Sequence, residues 1–408
     1  MAEIGRRDFM RRTAAAAALG AAGTGATGAS AAQDSTEGVR EMAEQHRDIG
    51  KWRVRTSTEG VRETAEQHRE FHFSPSVNHR AWMDEIRPRM AYDGGDVVAW
   101  QNALREEVRR LLGAQPAEKA PLNPVSLWKR DTPLGTIEKV VFTAEPYSDV
   151  PAYLCLPAKG DPPYPLMICL QGHSTGMHLS INVAQDDEIT PIQAAGDRDF
   201  GIGCMERGFA ALCIEQRSFG ERAERVQQQV SSHGCHDAAM HALMLGRTLA
   251  GERVYDIERS IDYLETRPEI DPKRIGVLGQ SGGGTITLYS SALVPRLAFA
   301  MPSCSFCTFR DSIMSIYHCS DNYIPGMFGV CDMQHILGLF APRPLVIVAG
   351  LTDPIFPIDA ARAAFAELQQ IYAAAGAPDQ CRLVVGGEGH RFYADDAWPV
   401  LLELLGRT

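Results

Sequence analysis

Beyond its first 33 residues, this 408-residue sequence has no apolar run approaching the ~18 residues needed to span a bilayer. Positive charge is also short. The formal net charge is -11 and no basic stripe interrupts it, which weighs against an extended phosphate backbone as partner. The ten cysteines are scattered singly except for Cys304-Ser-Phe-Cys307, and no second CxxC pair accompanies that one. A dense disulfide framework and a paired-CxxC zinc site are therefore both disfavoured. Cys155, Cys169 and Cys213 lie within apolar runs and read as small buried hydrophobes. What remains, 45% hydrophobic and 22% charged, is ordinary globular composition with ample material for a large core.

The beginning of the chain is different. "GRRDFMRR" (Gly5 to Arg12) precedes a weakly apolar Ala/Gly stretch and then "ASA" at Ala29 to Ala31. Basic head, apolar run and small-residue cleavage site occur in the order of an export signal. Arg6-Arg7 followed by Asp8-Phe9-Met10 resembles the twin-arginine signal, although Gly5 stands where that pattern has Ser or Thr. Residues 1–31 are thus expected to be a leader read by twin-arginine export machinery. The remaining chain would be periplasmic or secreted, without stable membrane insertion. No Cys follows the apolar run, which argues against a lipid anchor.

Residues 32–77 form a polar linker containing a near-duplication: "STEGVREMAEQHR" (Ser35 to Arg47) recurs as "STEGVRETAEQHR" (Ser57 to Arg69). Two copies are too few for a solenoid. Residues 78–121 read as an N-terminal helical region. Within it Val97, Val98, Leu104, Val108, Leu111 and Leu112 are expected on one side of a helix that Gly113 and Pro116 stop. From 122 to 408 the rhythm changes. "IEKVVFTAE" and "VPAYLCLPA" read as an antiparallel pair. "YPLMICLQG", "GFAALCIEQR", "RIGVLGQS", "LAFAMPSC", "PLVIVAGLTD" and "CRLVVGGEG" are short, almost wholly apolar runs, as strands buried on both faces require. Helical patterns alternate with them, which predicts an α/β fold: a doubly wound, mostly parallel sheet with helices on both faces. Two insertions, between Arg222 and Glu252 and between Phe306 and Leu339, are expected to rise over the strand ends as lid and pocket walls.

One stretch carries chemistry. In "RIGVLGQSGGG" the apolar strand stops at Gly279, Ser281 follows two residues later, and a helix starts within Gly282 to Gly284. A serine held on a strained strand-to-helix turn needs tiny neighbours at minus two and plus two, and Gly279 and Gly283 supply them. Ser281 is therefore the candidate nucleophile. It needs a base, and in this architecture the order is Ser, acid, His. Asp353 ends the strand of "PLVIVAGLTD", and His390 follows the strand of "CRLVVGGEGH". His390 would take the Ser281 proton and Asp353 would orient it. Glu388 is a rival acid, and Asp359 reads as a helix N-cap. Two backbone donors are expected for the oxyanion: Gly282 N–H, and His173 N–H from the loop after the third strand, in "LMICLQGHSTG". His318 and Gln280 are candidate substrate contacts. His233, His236 and His241 tempt a metal reading, but lack carboxylates at suitable spacing and read as pocket wall or helix surface. Arg217 and Glu221 are expected to pair.

These residues resemble the α/β-hydrolase superfamily over roughly Leu122 to Thr408. Within it the likeness is to bacterial acetyl xylan esterase-like hydrolases, through "LGRTLAGERVYD", "GQSGGGT", "CTFRDSI", "HCSDNYIPG", "LFAPRPLVIVAGLTDPIFP" and "GEGHRF". The resemblance implies a serine carboxylesterase that removes acetyl or similar short acyl groups from carbohydrate esters, using Ser281, Asp353 and His390 and no metal or organic cofactor. Gln171-Gly172 replaces the His-Gly common at this family's oxyanion loop, and "EQRSFGER" replaces an Arg-Gly-Gln stretch after the fourth strand. Two other readings stay open. One is a prolyl-oligopeptidase-type peptidase, although the segment before Leu122 is short for its extra domain. The other is a hydrolase-fold binding protein without activity, against which the intact Ser, Asp and His weigh.

Overall fold

The computed structural model describes residues 72–224 and 235–407. The leader 1–31, nearly all of the 32–77 linker with its duplication, and His233 lie outside the described residues. The frame is one nine-stranded sheet in the order β1-β2-β3-β5-β4-β6-β7-β8-β9. β1 (Val125–Thr132), β2 (Gly135–Glu145) and β3 (Ser148–Pro157) pair antiparallel, and β3 pairs antiparallel with β5 (Ala210–Ile214). From β5 onward the neighbours are parallel: β4 (Tyr164–Leu170), β6 (Ile270–Gln280), β7 (Phe299–Ser303), β8 (Leu345–Gly350) and β9 (Cys381–Gly386).

The described helices are α1 (Pro75–Glu85), α2 (Val97–Leu112), α3 (Phe200–Glu206), α4 (His236–Met244), α5 (Leu249–Leu264), α6 (Gly282–Leu293), α7 (Met333–Gly338), α8 (Ile358–Ala374) and α9 (Ala394–Leu404). The side-chain alternation of each strand assigns them to two faces. On β4, Leu166, Ile168 and Leu170 join one core with residues of α2, α5, α6, α7 and α8. Met167 and Cys169 join the other core, with Phe200 and Cys204 of α3 and Trp398 and Leu401 of α9. A strand with apolar company on both sides has no place for a polar alternate, so its sequence reads as a continuous apolar run. The mostly parallel sheet covered on both faces is the fold class the sequence predicts. No helix of the described residues is long and apolar enough to cross a membrane.

Four local expectations are corrected. β1 lies outside every strand expected from the sequence. Val125 and Leu127 are exposed and only alternate residues further on are partly buried, so it has no continuous apolar run and exists through its ladder with β2. β9 is apolar in sequence yet only partly buried along its middle, because it is the sheet's edge. On α2, Leu104, Val108 and Leu112 are buried, but Val98 is 60% exposed. The buried stripe instead takes Gln101, whose Nε2 donates to the carbonyls of Gly338 and Ala341. Asp359 lies inside the first turn of α8 and is exposed, while Pro357 is the capping position.

Strand order places the site. From β4 the chain passes to β5 on one side and later to β6 on the other. The crevice beyond the carboxyl ends of β4 and β6 is therefore the topological switch point, where open α/β sheets bind ligands. Leu170 pairs with Gly279 across that crevice, so the Gln171-Gly172 loop and the Gln280-Ser281 turn leave the sheet side by side.

Candidate active site

Ser281 has φ 56° and ψ -118°, a backbone conformation costly for a residue with a Cβ. The turn is tight because its glycines admit close approach. A Cβ on Gly279 would lie 2.2 Å from the Gly283 carbonyl oxygen, and one on Gly283 would lie 2.2 Å from that of Leu170. The Ser281 N–H donates to Ser303 O at 2.9 Å, which ties the turn to the end of β7. α6 begins at Gly282, directly after the serine. Its first N–H groups have no acceptor within their own helix and face the serine with the positive end of the helix dipole.

Asp353, at the end of β8, is buried. Its Oδ1 accepts from the N–H groups of Ile355 and Phe356 at 2.8 and 3.2 Å, while Oδ2 meets His390 Nδ1 at 2.8 Å. A carboxylate so placed fixes the tautomer, with Nδ1 donating to Asp353 and Nε2 left to accept a proton. The His390 ring is 21% exposed and stacks on Phe356. Its loop is held by Tyr393 Oη donating to Gly389 O at 2.7 Å and by Arg391 bonding Asp197 and Glu388. Glu388 thus engages Arg391, and the carboxylate that bonds His390 is that of Asp353. Ser303 and Cys304 link the two halves of the site. The carbonyl of Ser303 receives the Ser281 N–H, and the Cys304 thiol lies within 4.8 Å of donor atoms of both Asp353 and His390.

The remaining predicted residues fall around this centre. His173 lies against Gly282: a Cβ there would come within 2.7 Å of its ring. His318 bonds Asn322 at 2.9 Å and makes edge contacts with Phe356 and His173. The rings therefore run from His390 through Phe356 and His318 to His173. Gln280 is 3% exposed, and a Cβ on Gly172 would lie 2.7 Å from its Oε1, so its side chain packs against that loop. Gln171 is buried and anchors the same loop through Ser180 and the Arg198 carbonyl. His236 pairs with Asp237 on an exposed part of α4, and His241 is exposed, which leaves both on helix surface.

Sequence reasoning missed Arg253 and Asp321, which make an ion pair 2.5 Å long with both side chains 2% exposed. Asp321 in turn holds His173 Nε2 at 3.0 Å from each carboxylate oxygen. The available signal was an arginine on α5 one turn from Leu249 and Ile257, that is, on an apolar face, where a charge requires a buried partner. His173, Cys235, Cys319 and Asp321 bring donor atoms within 4.8 Å of one another. Arg253 already donates to Asp321 and, at 3.4 Å, to Cys235, so a guanidinium fills the cationic place in that cluster.

The expected Arg217–Glu221 pair does not form. Arg217 binds Glu145, Glu252 and Asp256, and Arg222 binds Asp256, whereas Glu221 turns to Lys139. Asp256, one helical turn along α5, offers Arg217 a bidentate fork that Glu221 cannot match. Lys139, Gln185, Asp186, Glu188 and Glu221 line a surface cleft, but it contains none of the candidate catalytic residues and its lysine is already paired twice.

Beneath the Gly172–Met177 loop, Glu215 is buried and accepts from Met177 N–H and Glu221 N–H. Burial outweighs these donors and pushes its carboxyl up to about 8. The unfolded chain releases this proton near the ordinary carboxylate range, and the folded chain holds it up to about pH 8. Stability therefore falls as pH rises between those values. Glu215→Gln is expected to flatten urea-unfolding stability between about pH 5 and 8 relative to wild type. An unchanged slope would contradict this assignment of the proton.

Residues 63–383 match the Abhydrolase family. YtaP of Bacillus subtilis (strain 168), named as a hydrolase, is 25% identical over 289 residues, which is 70% of this chain and 92% of YtaP. Among solved structures, BF1801 of Bacteroides fragilis NCTC 9343, named as a "putative acetyl xylan esterase", superposes with TM-score 0.65 at 18% identity, covering 82% of this chain and 86% of that one. A glucuronoyl esterase from Solibacter usitatus gives TM-score 0.56 at 16% identity, covering 79% and 97%. At such identities these two structures speak for a shared fold.

Proposed function

Because the chain belongs to the Abhydrolase family, we propose that it is a serine esterase that removes acetyl or similar short acyl groups from carbohydrate esters, outside the cytoplasm. One observation carries the reading. At the switch point of the sheet, a strained serine opens a helix, and the Asp353–His390 pair follows the strands on the same side. Ser281 Oγ attacks the ester carbonyl as His390 Nε2 takes its proton. Asp353 stabilises the imidazolium that results. The oxyanion is received by the N–H groups of Gly282 and His173. His390 then gives the proton to the departing sugar hydroxyl, leaving an acyl-enzyme. Water, activated by the same imidazole, releases the acid.

The substrate class draws support from the relatives. A carbohydrate esterase of an unknown prokaryotic organism, MZ0003, is 26% identical over 121 residues, 24% of this chain and 27% of that protein, and the two solved structures above are named for an acetyl xylan esterase and a glucuronoyl esterase. The export assignment rests on residues 1–31, which lie outside the described residues. The test is a panel of p-nitrophenyl acetate, a long-chain p-nitrophenyl ester, an acetylated xylo-oligosaccharide and a dipeptide amide. Release of acetate from the oligosaccharide and turnover of the short ester, with the amide untouched, is the expected result. Amide cleavage would assign the protein to the peptidases instead.

A further inference from the structure

The Asp321–His173 pair has the make-up of a catalytic dyad yet has no place in the mechanism above, where His173 contributes only its backbone. Its geometry is specific. Nε2 points at a buried carboxylate, 3.0 Å from both oxygens. Asp321 is itself held by Arg253 at 2.5 Å and by Asn322 Nδ2 at 3.1 Å. The ring is 13% exposed. One face of the ring lies over Gly282: a Cβ there would be 2.7 Å from Cε1, 2.8 Å from Nδ1 and 3.1 Å from Nε2. Phe219 meets the ring edge-on at 5.4 Å and fixes its plane. Nδ1 makes no hydrogen bond to any described residue, and it is beside the glycine whose N–H receives the oxyanion in the reading above.

We propose that the side chain of His173, beyond its backbone N–H, is a catalytic group: held against Gly282 by Asp321, it donates Nδ1–H to the carbonyl oxygen that becomes negative. This rests on the serine-esterase reading and extends it. No proton is transferred in the step. A charged donor shortens and strengthens its hydrogen bond as negative charge grows on the acceptor, which stabilises the transition state more than the ground state. Protonation state decides the effect. With both nitrogens protonated, Nδ1 is a donor. With one proton, the carboxylate keeps it on Nε2, and Nδ1 turns a lone pair towards the oxyanion.

The surroundings favour the doubly protonated ring. Burial alone lowers the pKa of His173, but the Asp321 carboxylate outweighs it and the net shift is upward. The groups facing the ring are Asp321 and His318 from the insertion after β7, Arg253 from α5, and the Cys235 thiol just ahead of α4. Cys235 is itself lowered, first by its bond with Cys319 and then by Arg253, so its titration has to be separated from that of His173.

The experiment is a blank-corrected pH–rate profile of kcat and kcat/KM for p-nitrophenyl acetate, with thermal melting of every variant. Wild type is expected to lose rate on an alkaline limb as His173 deprotonates. His173→Ala should lower kcat by about 10²-fold or more with less change in KM, in the range for loss of one oxyanion donor. His173→Asn, whose amide places a neutral donor near Nδ1, should recover part of kcat and show no alkaline limb. Asp321→Asn should move that limb to lower pH, while Cys235→Ser should leave it in place. The proposal is overturned if folded His173→Ala keeps kcat within about threefold of wild type. It is overturned equally if the limb stays put in Asp321→Asn or moves in Cys235→Ser. Failure of the underlying esterase reading looks different: wild type itself would show no ester turnover dependent on Ser281.

Discussion

Ser281→Ala is expected to reduce hydrolysis of p-nitrophenyl acetate by several orders of magnitude, up to about 10⁶ in kcat, while the melting temperature stays at the wild-type value. The two readouts separate because the fold does not depend on the hydroxyl, and the Ser281 side chain makes no capping bond to α6. The turn is held by backbone, through the Ser281 N–H on Ser303 O and the mutual approach of Gly279 and Gly283. Alanine carries the same Cβ and so bears the same conformational strain. Whatever slow hydrolysis remains would come from the oxyanion donors and binding alone. Kinetics that match wild type would remove Ser281 from the reaction and, with it, the elbow as a catalytic device.

Asp256→Ala is expected to cost about 3–5 kcal/mol in stability, read as a lower urea midpoint at constant m. Asp256 is 1% exposed and receives Arg217 through both oxygens, at 2.8 and 3.0 Å, and Arg222 at 2.7 Å. Deleting the carboxylate leaves Arg222 with the Glu215 carbonyl and the Ser148 hydroxyl as acceptors, without an opposite charge. Arg217 retains Glu145 and Glu252, but its fork loses its planar partner. The cost follows chiefly from leaving the Arg222 cation buried and uncompensated, so Asp256→Asn, which keeps a hydrogen-bond acceptor, should be milder. A loss below about 1 kcal/mol for Asp256→Ala would mean that water reaches these guanidinium groups freely.

Much of this molecule can be read from the chain because its information is local. The strand at Ile275 to Leu278 is apolar since both its faces are covered, and the glycines around Ser281 are there because neighbouring carbonyls approach within what any side chain would occupy. Strand-end positions also mark Asp353 and His390, which the structure joins at 2.8 Å. Edges are harder. β1 exists only through its partner's register, and β9 is apolar but half covered, so neither burial nor period labels them. Charge partners are harder again. Spacing pairs Arg217 with Glu221 in the same short stretch, and the fold gives it Asp256, 39 residues on.

By itself, then, the sequence determined the alternation of strand and helix, the cramped turn at Ser281 and the order of the groups that follow it. These depend on apolar period, on side-chain size at neighbouring positions and on strand ends, which are all properties of contiguous residues. Only the tertiary structure decided that His173 meets Asp321, that Arg253 stands behind them and that Gln280 is buried against Gly172. Each of these depends on segments far apart in the chain arriving at one crevice. The pairing of charges there follows from which carboxylate presents the better geometry once water has been excluded, and no spacing along the chain encodes that choice.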